Sequence, residues 1–219
     1  PRHKVASFNC ERRIFRHCYM LQRVAEKKER SLGIKLFIKA DRCNSPKCVM
    51  IRRPFRPGAH GQKRRRQPSD FGKQLQEKQK IQLTYGLTNR QMINLFKEPI
   101  EKLLPSLETR LDRVVFLLGI SKSPRIGRQI ISHGHIMVNG RKVTIPSYHV
   151  KVKDIISIRP ESRSKKLFED IETRLKPYEP PAWLKLDKEQ LKGECVKIPS
   201  LTEINLPFDI NLVGQFYSR

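Results

Sequence analysis

Around Asn139-Gly140 the apolar residues change from a helical period to a period of two, and no other feature of the chain constrains the fold as strongly. Ser123-Pro124 is a typical helix start, because serine caps the first turn and proline fits its first position. Apolar residues then recur at helical spacing as far as His133-Gly134. Alternating segments at 135–138 and 141–145 flank Asn139-Gly140, a dipeptide that favours a type I′ turn. The pattern predicts a helix followed directly by a β-hairpin.

The remaining patterns predict a mostly helical protein. They indicate a helix from Ser69-Asp70 to Gly86, a second opened by a capping box at 88–91, a third from Ser106 to Gly119, a strand at 154–158, a charged helix at 161–176, a short helix starting at 187–190, and short strands and turns after Cys195. Pro99 and Pro105 are expected to interrupt the chain before the third helix. We therefore predict an α+β fold, mostly α. Its parts are a basic N-terminal arm at 1–68, a helical body domain at 69–105 and 160–219, and a helix-helix-hairpin module at 106–159.

The charge of the chain indicates a polyanionic partner. The 219 residues include 46 Lys and Arg against 21 Asp and Glu, a net charge of +25. Of these, 23 basic and 6 acidic residues fall within the first 80 positions. Self-repulsion of this size is relieved most commonly by nucleic acid. The sequence has no apolar run of roughly 18 residues, so we expect no membrane-spanning segment.

The most basic stretch, residues 52–66, mixes turn-forming residues with cations and is not expected to build a core of its own. Two interpretations are open. The stretch is either a disordered basic arm or an extended segment that follows a phosphate backbone. Both interpretations imply nucleic acid, and they differ in whether the segment has a fixed path.

A second basic surface is predicted on the helix and hairpin of the module. The predicted helix places Arg125, Arg128 and Gln129 opposite its isoleucines, and the hairpin adds His133, His135, Asn139, Arg141 and Lys142. Arginine and lysine neutralise phosphates, whereas Asn, Gln and His side chains can reach sugar hydroxyls. The competing interpretation is a solvated helix face next to an ordinary turn.

Several segments resemble the ribosomal protein S4 family. Residues 125–140 (Arg-Ile-Gly-Arg-Gln-Ile-Ile-Ser-His-Gly-His-Ile-Met-Val-Asn-Gly) closely resemble its RNA-binding module, which many RNA enzymes also carry. The segments outside the module are more specific. Residues 53–62 (Arg-Pro-Phe-Arg-Pro-Gly-Ala-His-Gly-Gln) and 71–80, followed by Tyr85-Gly86, resemble the family's N-terminal region, and Pro-Ala-Trp-Leu at 181–184 and Phe-Tyr-Ser-Arg at 216–219 resemble its ending. The likeness runs in order from about residue 33 to residue 219.

The resemblance implies a structural component of the small ribosomal subunit that binds its rRNA early in assembly, at a junction in the 5′ domain. It also implies contacts with ribosomal proteins S5 and S3 beside the path by which mRNA enters, where such proteins support decoding accuracy. The predicted RNA-binding residues are Arg52, Arg53, Lys63, Arg64, Arg65, Arg66, Lys73, Lys78, Lys80, Arg125, Arg128, Gln129, His133, His135, Asn139, Arg141 and Lys142. We expect no membrane association and no homo-oligomer. The expected location is the ribosome of a bacterial cytoplasm or, alternatively, of a mitochondrial matrix or plastid stroma.

The cysteines depart from the family's pattern. Cys43 and Cys48 resemble the second half of a four-cysteine zinc site found in some members, but Glu26 and Glu29 occupy the places of the first pair. Cys10 and Cys18 lie further upstream at an unusual spacing, and His17 or a carboxylate is an alternative ligand. The predicted cofactor is none, with a metal-free degenerate knuckle in the arm. A zinc site is the alternative.

Other functions remain open on the residues alone. The main alternative is an RNA-modifying enzyme, a pseudouridine synthase or methyltransferase, that carries a borrowed module. Against it, the chain has no glycine-rich nucleotide loop after a strand and no P-loop, and few residues lie outside the module. A stress-related ribosome-binding factor would lack the long arm, and a DNA-binding protein would need a major-groove recognition helix. We therefore predict that the chain is not an enzyme.

Overall fold

The computed structural model describes residues 25–37, 40–63, 67–165, 167–200, 203–204 and 207–218. They divide into two compact units, the first extending to Asn89 and the second beginning at Arg90. No helix in the described ranges is both long and apolar enough to cross a bilayer.

The first unit is helical. Its helices are α1 (Ala25–Leu32), α2 (Ala40–Cys43), α3 (Val49–Arg52) and α4 (Asp70–Thr84). The Ser69 hydroxyl accepts a hydrogen bond from the Gly72 N–H (3.3 Å) and so caps α4. Gly86 follows with a φ of +61°, the left-handed conformation in which helices commonly end. The helix predicted from Ser69-Asp70 to Gly86 is confirmed.

The backbone of the basic stretch has a defined path beside α1. The guanidinium of Arg30 donates hydrogen bonds to the carbonyls of Arg53 (3.1 Å), Phe55 (2.9 Å) and Arg56 (3.3 Å), and it lies 5.2 Å from the centre of the Phe55 ring. A small apolar cluster of Leu32, Ile34, Leu36 and Leu83 forms in the same unit. The described part of the stretch therefore has a fixed path within the chain, and its course along a phosphate backbone stays a prediction.

The second unit contains six further described helices: α5 (Asn89–Leu95), which begins at the boundary, α6 (Ile100–Glu108), α7 (Leu111–Leu117), α8 (Pro124–Ser132), α9 (Ile171–Leu175) and α10 (Ile210–Tyr217). The single helix predicted from Ser106 to Gly119 is wrong. Thr109 and Arg110 separate α6 from α7, because the extended backbone of Arg110 pairs with His149 in an isolated antiparallel bridge.

Pro105 lies inside α6, not between helices as predicted. A proline there removes one backbone hydrogen bond of the helix. The leucines Leu103, Leu104 and Leu107 of the same helix are all buried, and this burial outweighs the missing hydrogen bond.

Within the described residues of the second unit, five antiparallel strands form a sheet. They are β1 (Ile136–Val138), β2 (Arg141–Lys142), β3 (Ile155–Ile158), β4 (Leu184–Asp187) and β5 (Lys192–Cys195), in the spatial order β2-β1-β3-β5-β4. Asn139 (φ 49°) and Gly140 (φ 75°) both adopt the left-handed conformation that a type I′ turn requires. The predicted hairpin is confirmed, as is the strand that follows it.

The predicted short helix at 187–190 is wrong. The Asp187 carboxylate accepts hydrogen bonds from the backbone N–H groups of Glu189 (3.1 Å) and Gln190 (3.2 Å), which closes the turn between β4 and β5. The side chain that resembles a helix cap in the sequence makes a turn instead.

The C-terminal third differs from the prediction in two further places. A continuous helix at 161–176 is wrong, because a 3₁₀ turn at Pro160–Ser162 and the short α9 are separated by turns. After Cys195, where short strands and turns were predicted, the described residues include a turn-type hydrogen bond from the Glu203 N–H to the Ser200 carbonyl (3.1 Å) and the helix α10. The Asp209 carboxylate caps α10 by accepting a hydrogen bond from the Asn211 N–H (2.9 Å).

The core of the second unit lies between the helices and one face of the sheet. Its fully buried members come from α7, α8 and the strands, and include Leu111, Leu118, Ile130, Ile131, Ile136 and Ile156. Phe168, Ile171, Leu175 and Trp183 from the later part of the chain join the same core. The helix and hairpin therefore fold against residues that follow them in sequence.

The close approach of β5 to α7 gives a stability prediction. A Cβ added at Gly193 would lie 2.4 Å from Cδ1 of Leu118, which is itself fully buried. We expect Gly193→Ala to lower the free energy of unfolding by about 1–3 kcal/mol, the usual cost of overpacking. Urea denaturation followed by circular dichroism measures the change.

Gly214→Ala is the matched control in the same unit. Gly214 lies within α10, and a Cβ added there would meet Ile100 Cδ1 at an ordinary 3.5 Å. This variant should be stabilised by about 0.5–1 kcal/mol, because alanine favours a helix over glycine. An unchanged stability of Gly193→Ala would contradict the packing described for β5.

Candidate nucleic-acid interface

Helix α8 presents its polar side chains because its opposite face is buried. The Ser123 hydroxyl accepts a hydrogen bond from the Ile126 N–H (3.3 Å), and Pro124 occupies the first turn, as predicted. Ile130 and Ile131 are buried in the core, whereas Gln129 is exposed. Arg125 is half-buried on the same helix.

A buried ion pair lies beneath α8. The guanidinium of Arg110 donates two hydrogen bonds to the Asp112 carboxylate (3.1 and 2.9 Å), and both residues are only 6% exposed. Arg128 Nη1 lies 3.8 Å from the same carboxylate, with its side chain 23% exposed. Arg128 therefore contributes to the charge balance of the core as well as to the basic surface.

The hairpin fixes Asn139 through its own side chain. The carboxamide of Asn139 donates to the Asp154 carboxylate (2.8 Å) and accepts from the Ile155 N–H (2.9 Å). Asp154 also accepts from the Lys151 N–H (2.8 Å). Within the chain, Asn139 thus ties the turn to the start of β3. The neighbouring Arg141 and Lys142 are exposed on the edge strand.

The two histidines lie at the junction of α8 and β1. Their ring centres are 6.0 Å apart, with His133 exposed and His135 half-buried. His135 Nδ1 is hydrogen-bonded to the Ser162 hydroxyl (3.0 Å), and its ring meets Phe168 edge-on at 6.1 Å. Burial lowers the pKa of His135 below its ordinary 6.5, and the positive charges of Lys165, His133, Arg159 and Lys142 lower it further.

Arg159 and Lys165 are residues that the sequence interpretation missed. Both lower the pKa of His135, although both follow β3 and Lys165 lies outside the predicted module at 106–159. The sequence signal was their positive charge on either side of Pro160, but the predicted RNA-binding residues ended at Lys142, and Lys165 was assigned to a helix of the body domain.

The predicted RNA-binding residues of the first unit have different surroundings. Arg52, Arg53 and Lys63 are exposed, whereas Arg64, Arg65 and Arg66 lie outside the described residues. On α4, Lys73 pairs with Asp70 (3.1 Å), and the half-buried Lys80 pairs with Glu77 (2.5 Å). Burial lowers the pKa of Lys78 below its ordinary 10.5. Lys80 is therefore partly neutralised within its own helix.

The described residues do not fit a zinc site. Cys43 and Cys48 are both buried, and within the described ranges no three of His, Cys, Asp and Glu come together as metal ligands. Glu26 instead pairs with Arg42 (2.9 Å), and the Glu29 carboxylate accepts a hydrogen bond from the Leu36 N–H (3.1 Å). The upstream candidates Cys10, His17 and Cys18 lie outside the described residues.

An N-capped helix joined to a tight hairpin, with cations on the exposed side, forms a basic surface of the kind that binds structured RNA. Two models of known protein families match this chain. Residues 21–114 match the model of the ribosomal protein S4/S9 N-terminal domain, and residues 109–156 match that of the S4 domain.

Relatives in several bacteria carry the likeness over most of the chain. The small ribosomal subunit protein uS4 of Thermus thermophilus is 45% identical over 194 residues, which cover 85% of this chain and 93% of the relative. The uS4 proteins of Syntrophus aciditrophicus and Syntrophomonas wolfei are 43% and 42% identical, over the same shares of each chain. The chain belongs to the small ribosomal subunit protein uS4 family. The family recognised from the sequence motifs and the mostly helical α+β fold are confirmed.

The buried ion pair gives a prediction for the site's scaffold. Asp112→Asn leaves the buried guanidinium of Arg110 without a countercharge, and we expect a loss of about 3–5 kcal/mol in the free energy of unfolding. Asp170→Asn is the control, since Asp170 is exposed and lies 3.7 Å from Lys122. Its loss should be at most about 1 kcal/mol. Equal losses in urea denaturation would show that the buried pair has no special role.

The degenerate knuckle gives a second prediction. Protein purified without chelator and dialysed should hold close to no zinc, and EDTA should leave its thermal midpoint unchanged. Elemental analysis and thermal denaturation measure the two quantities. A retained zinc ion whose removal lowers the midpoint would contradict the metal-free knuckle.

Proposed function

We propose that this chain is a structural, rRNA-binding component of the small ribosomal subunit and has no catalytic activity. The single observation that carries the proposal is the match to both domains of the uS4 family in order, over a chain that aligns with 93% of its Thermus thermophilus relative. The match lends no support to the alternative of an RNA-modifying enzyme with a borrowed module.

The mechanism we propose is electrostatic and structural. Lysines and arginines displace counterions from a folded RNA, which supplies affinity. The helix-hairpin module fixes the position of the protein on the RNA. Its core and the Asn139 hydrogen bonds hold α8 and the turn rigidly together. Phosphate contacts of this kind position a protein on RNA without reading individual bases.

The finer parts of the proposal come from the family resemblance. They are binding at a junction of the rRNA 5′ domain early in assembly, contacts with ribosomal proteins S5 and S3, and a place beside the path by which mRNA enters, where the protein supports decoding accuracy. The proposed RNA contacts are the residues predicted from the sequence. The proposed location is a ribosome, either bacterial or organellar.

The first test is binding to a transcript of the 5′ domain of Thermus thermophilus small-subunit rRNA. We expect Arg125→Ala combined with Arg128→Ala to weaken binding and to reduce the slope of log affinity against log salt by about 0.7–0.9 for each phosphate that is no longer neutralised. Filter binding at several salt concentrations measures both quantities.

The control is Lys97→Ala combined with Lys102→Ala, which removes the same charge from two exposed positions outside α8. Circular dichroism confirms that each variant is folded, a necessary check because Arg128 also lies near Asp112. An equal loss of affinity in both double variants would contradict a specific role for α8. Failure of tagged protein to sediment with the small ribosomal subunit from cell extract would overturn the proposed function itself.

A further inference from the structure

Cations from separate stretches of the chain converge on one histidine. Lys142 belongs to β2, Arg159 precedes the 3₁₀ turn, Lys165 follows it, and His133 ends α8. The Arg159 N–H donates a hydrogen bond to the His135 carbonyl (2.9 Å), and the Lys165 N–H donates one to the carbonyl of Ser162 (3.2 Å). All four residues lower the pKa of His135. We name these five residues the histidine cluster. Because the S4-domain match ends at residue 156, Arg159 and Lys165 lie beyond the matched module.

The histidine cluster has little negative charge of its own. Glu161 pairs with Arg159, but its side chain is 73% exposed, so solvent screens it strongly. Lys142 and Lys165 are exposed and form no ion pair with any residue of the described ranges. Like charges held close together are unfavourable unless an anion lies between them. The histidine cluster therefore carries an excess of positive charge that a bound anion would offset.

The position of Lys142 is set by the backbone beneath it. Gly134 has a φ of +72°, and an added Cβ there would lie 2.2 Å from Lys142 Cε and 3.0 Å from Lys142 Nζ. The lysine stem thus lies directly over the junction of α8 and β1.

The ring of His135 is oriented by contacts on its other sides. Ser162, only 3% exposed, holds Nδ1 at 3.0 Å, and Phe168, also buried, meets the ring edge-on. With Nδ1 engaged, Nε2 is the nitrogen that can serve a ligand. A protonated Nε2–H donates a hydrogen bond to a phosphate oxygen and adds a positive charge beside it.

We propose that the histidine cluster binds a phosphodiester of the rRNA backbone, and that this binding is coupled to the uptake of one proton from solvent by Nε2 of His135. The proposal rests on the proposed function and adds a site to it. Arg159 and Lys165 supply two phosphate-neutralising charges that neither family-domain match includes.

The sign of the pH dependence follows from the charges. In the free protein, burial and the positive charges of Lys165, Arg159 and Lys142 keep the pKa of His135 below its ordinary 6.5. A bound phosphate offsets that repulsion and raises the pKa in the complex. The complex then binds more protons than the free protein, so affinity rises as the pH falls between the two pKa values.

The test compares affinities for the rRNA 5′-domain transcript from about pH 8 to about pH 6 at constant ionic strength. The intact chain should bind more tightly as the pH falls, with a component from His135 of up to about tenfold per pH unit, the limit for one linked proton. His135→Gln should lose that component. His149→Gln, which changes an exposed histidine outside the cluster, should keep it.

A second measurement separates binding from proton uptake. Arg159→Gln combined with Lys165→Gln should weaken binding and lower the salt slope by about 0.7–0.9 for each phosphate left without its cation, whereas the Lys97/Lys102 double variant should not. If the intact chain binds but His135→Gln keeps its full pH dependence, the proton uptake is overturned and the proposed function stands. If substitution of Arg159 and Lys165 leaves the affinity and the salt slope unchanged, the proposed phosphate site is overturned. If the intact chain does not bind the transcript at any pH, the proposed function fails as well.

Discussion

The packing of α8 against the inner face of the sheet is the interaction on which the rest of the second unit depends. Ile130 and Ile131 are buried on one side of the helix, opposite Ile136 and Ile156 from the strands in the same core. Each such side chain contributes roughly 1.5–3 kcal/mol when it leaves water. Because this face is buried, Gln129 is exposed and Arg125 is half-buried, whereas Arg128 also lies near the buried Asp112 carboxylate. The basic surface is therefore a consequence of the hydrophobic core beneath it.

Electrostatic interactions within the chain differ from those left for a partner. The buried pair of Arg110 and Asp112 is satisfied internally, and Arg128 shares its carboxylate. Around His135 the opposite holds, since positive charges collect there and the nearby Glu161 is exposed to solvent. Buried charges need partners within the fold, whereas exposed cations are hydrated and remain available to bind a polyanion. This difference separates the scaffold of the module from its binding surface.

The sequence predicted the central module well because its signals are local. Ser123, Pro124 and Asn139-Gly140 act through their own backbone geometry, which the surrounding fold does not change. Prediction from the sequence failed where contacts with residues distant in the chain determine the local structure. Asp187 reads as a helix cap but closes a strand turn, and Pro105 lies within a helix that buried leucines stabilise. The candidate site shows the same division, since the hairpin cations were identified but Arg159 and Lys165 were not.

By itself, the sequence determined the class of partner, the helix and hairpin of the module, and the family. Net charge, caps and turn residues are properties of composition or of a few neighbouring positions, so they can be recognised without a fold. Only the tertiary structure decided that residues after 160 complete the core of the module, and that Arg159 and Lys165 lower the pKa of the same histidine as Lys142. The physical reason is that strand pairing and core burial bring together residues that are far apart in the chain, such as β3 with β5. The spacing of residues along the sequence does not predict such contacts.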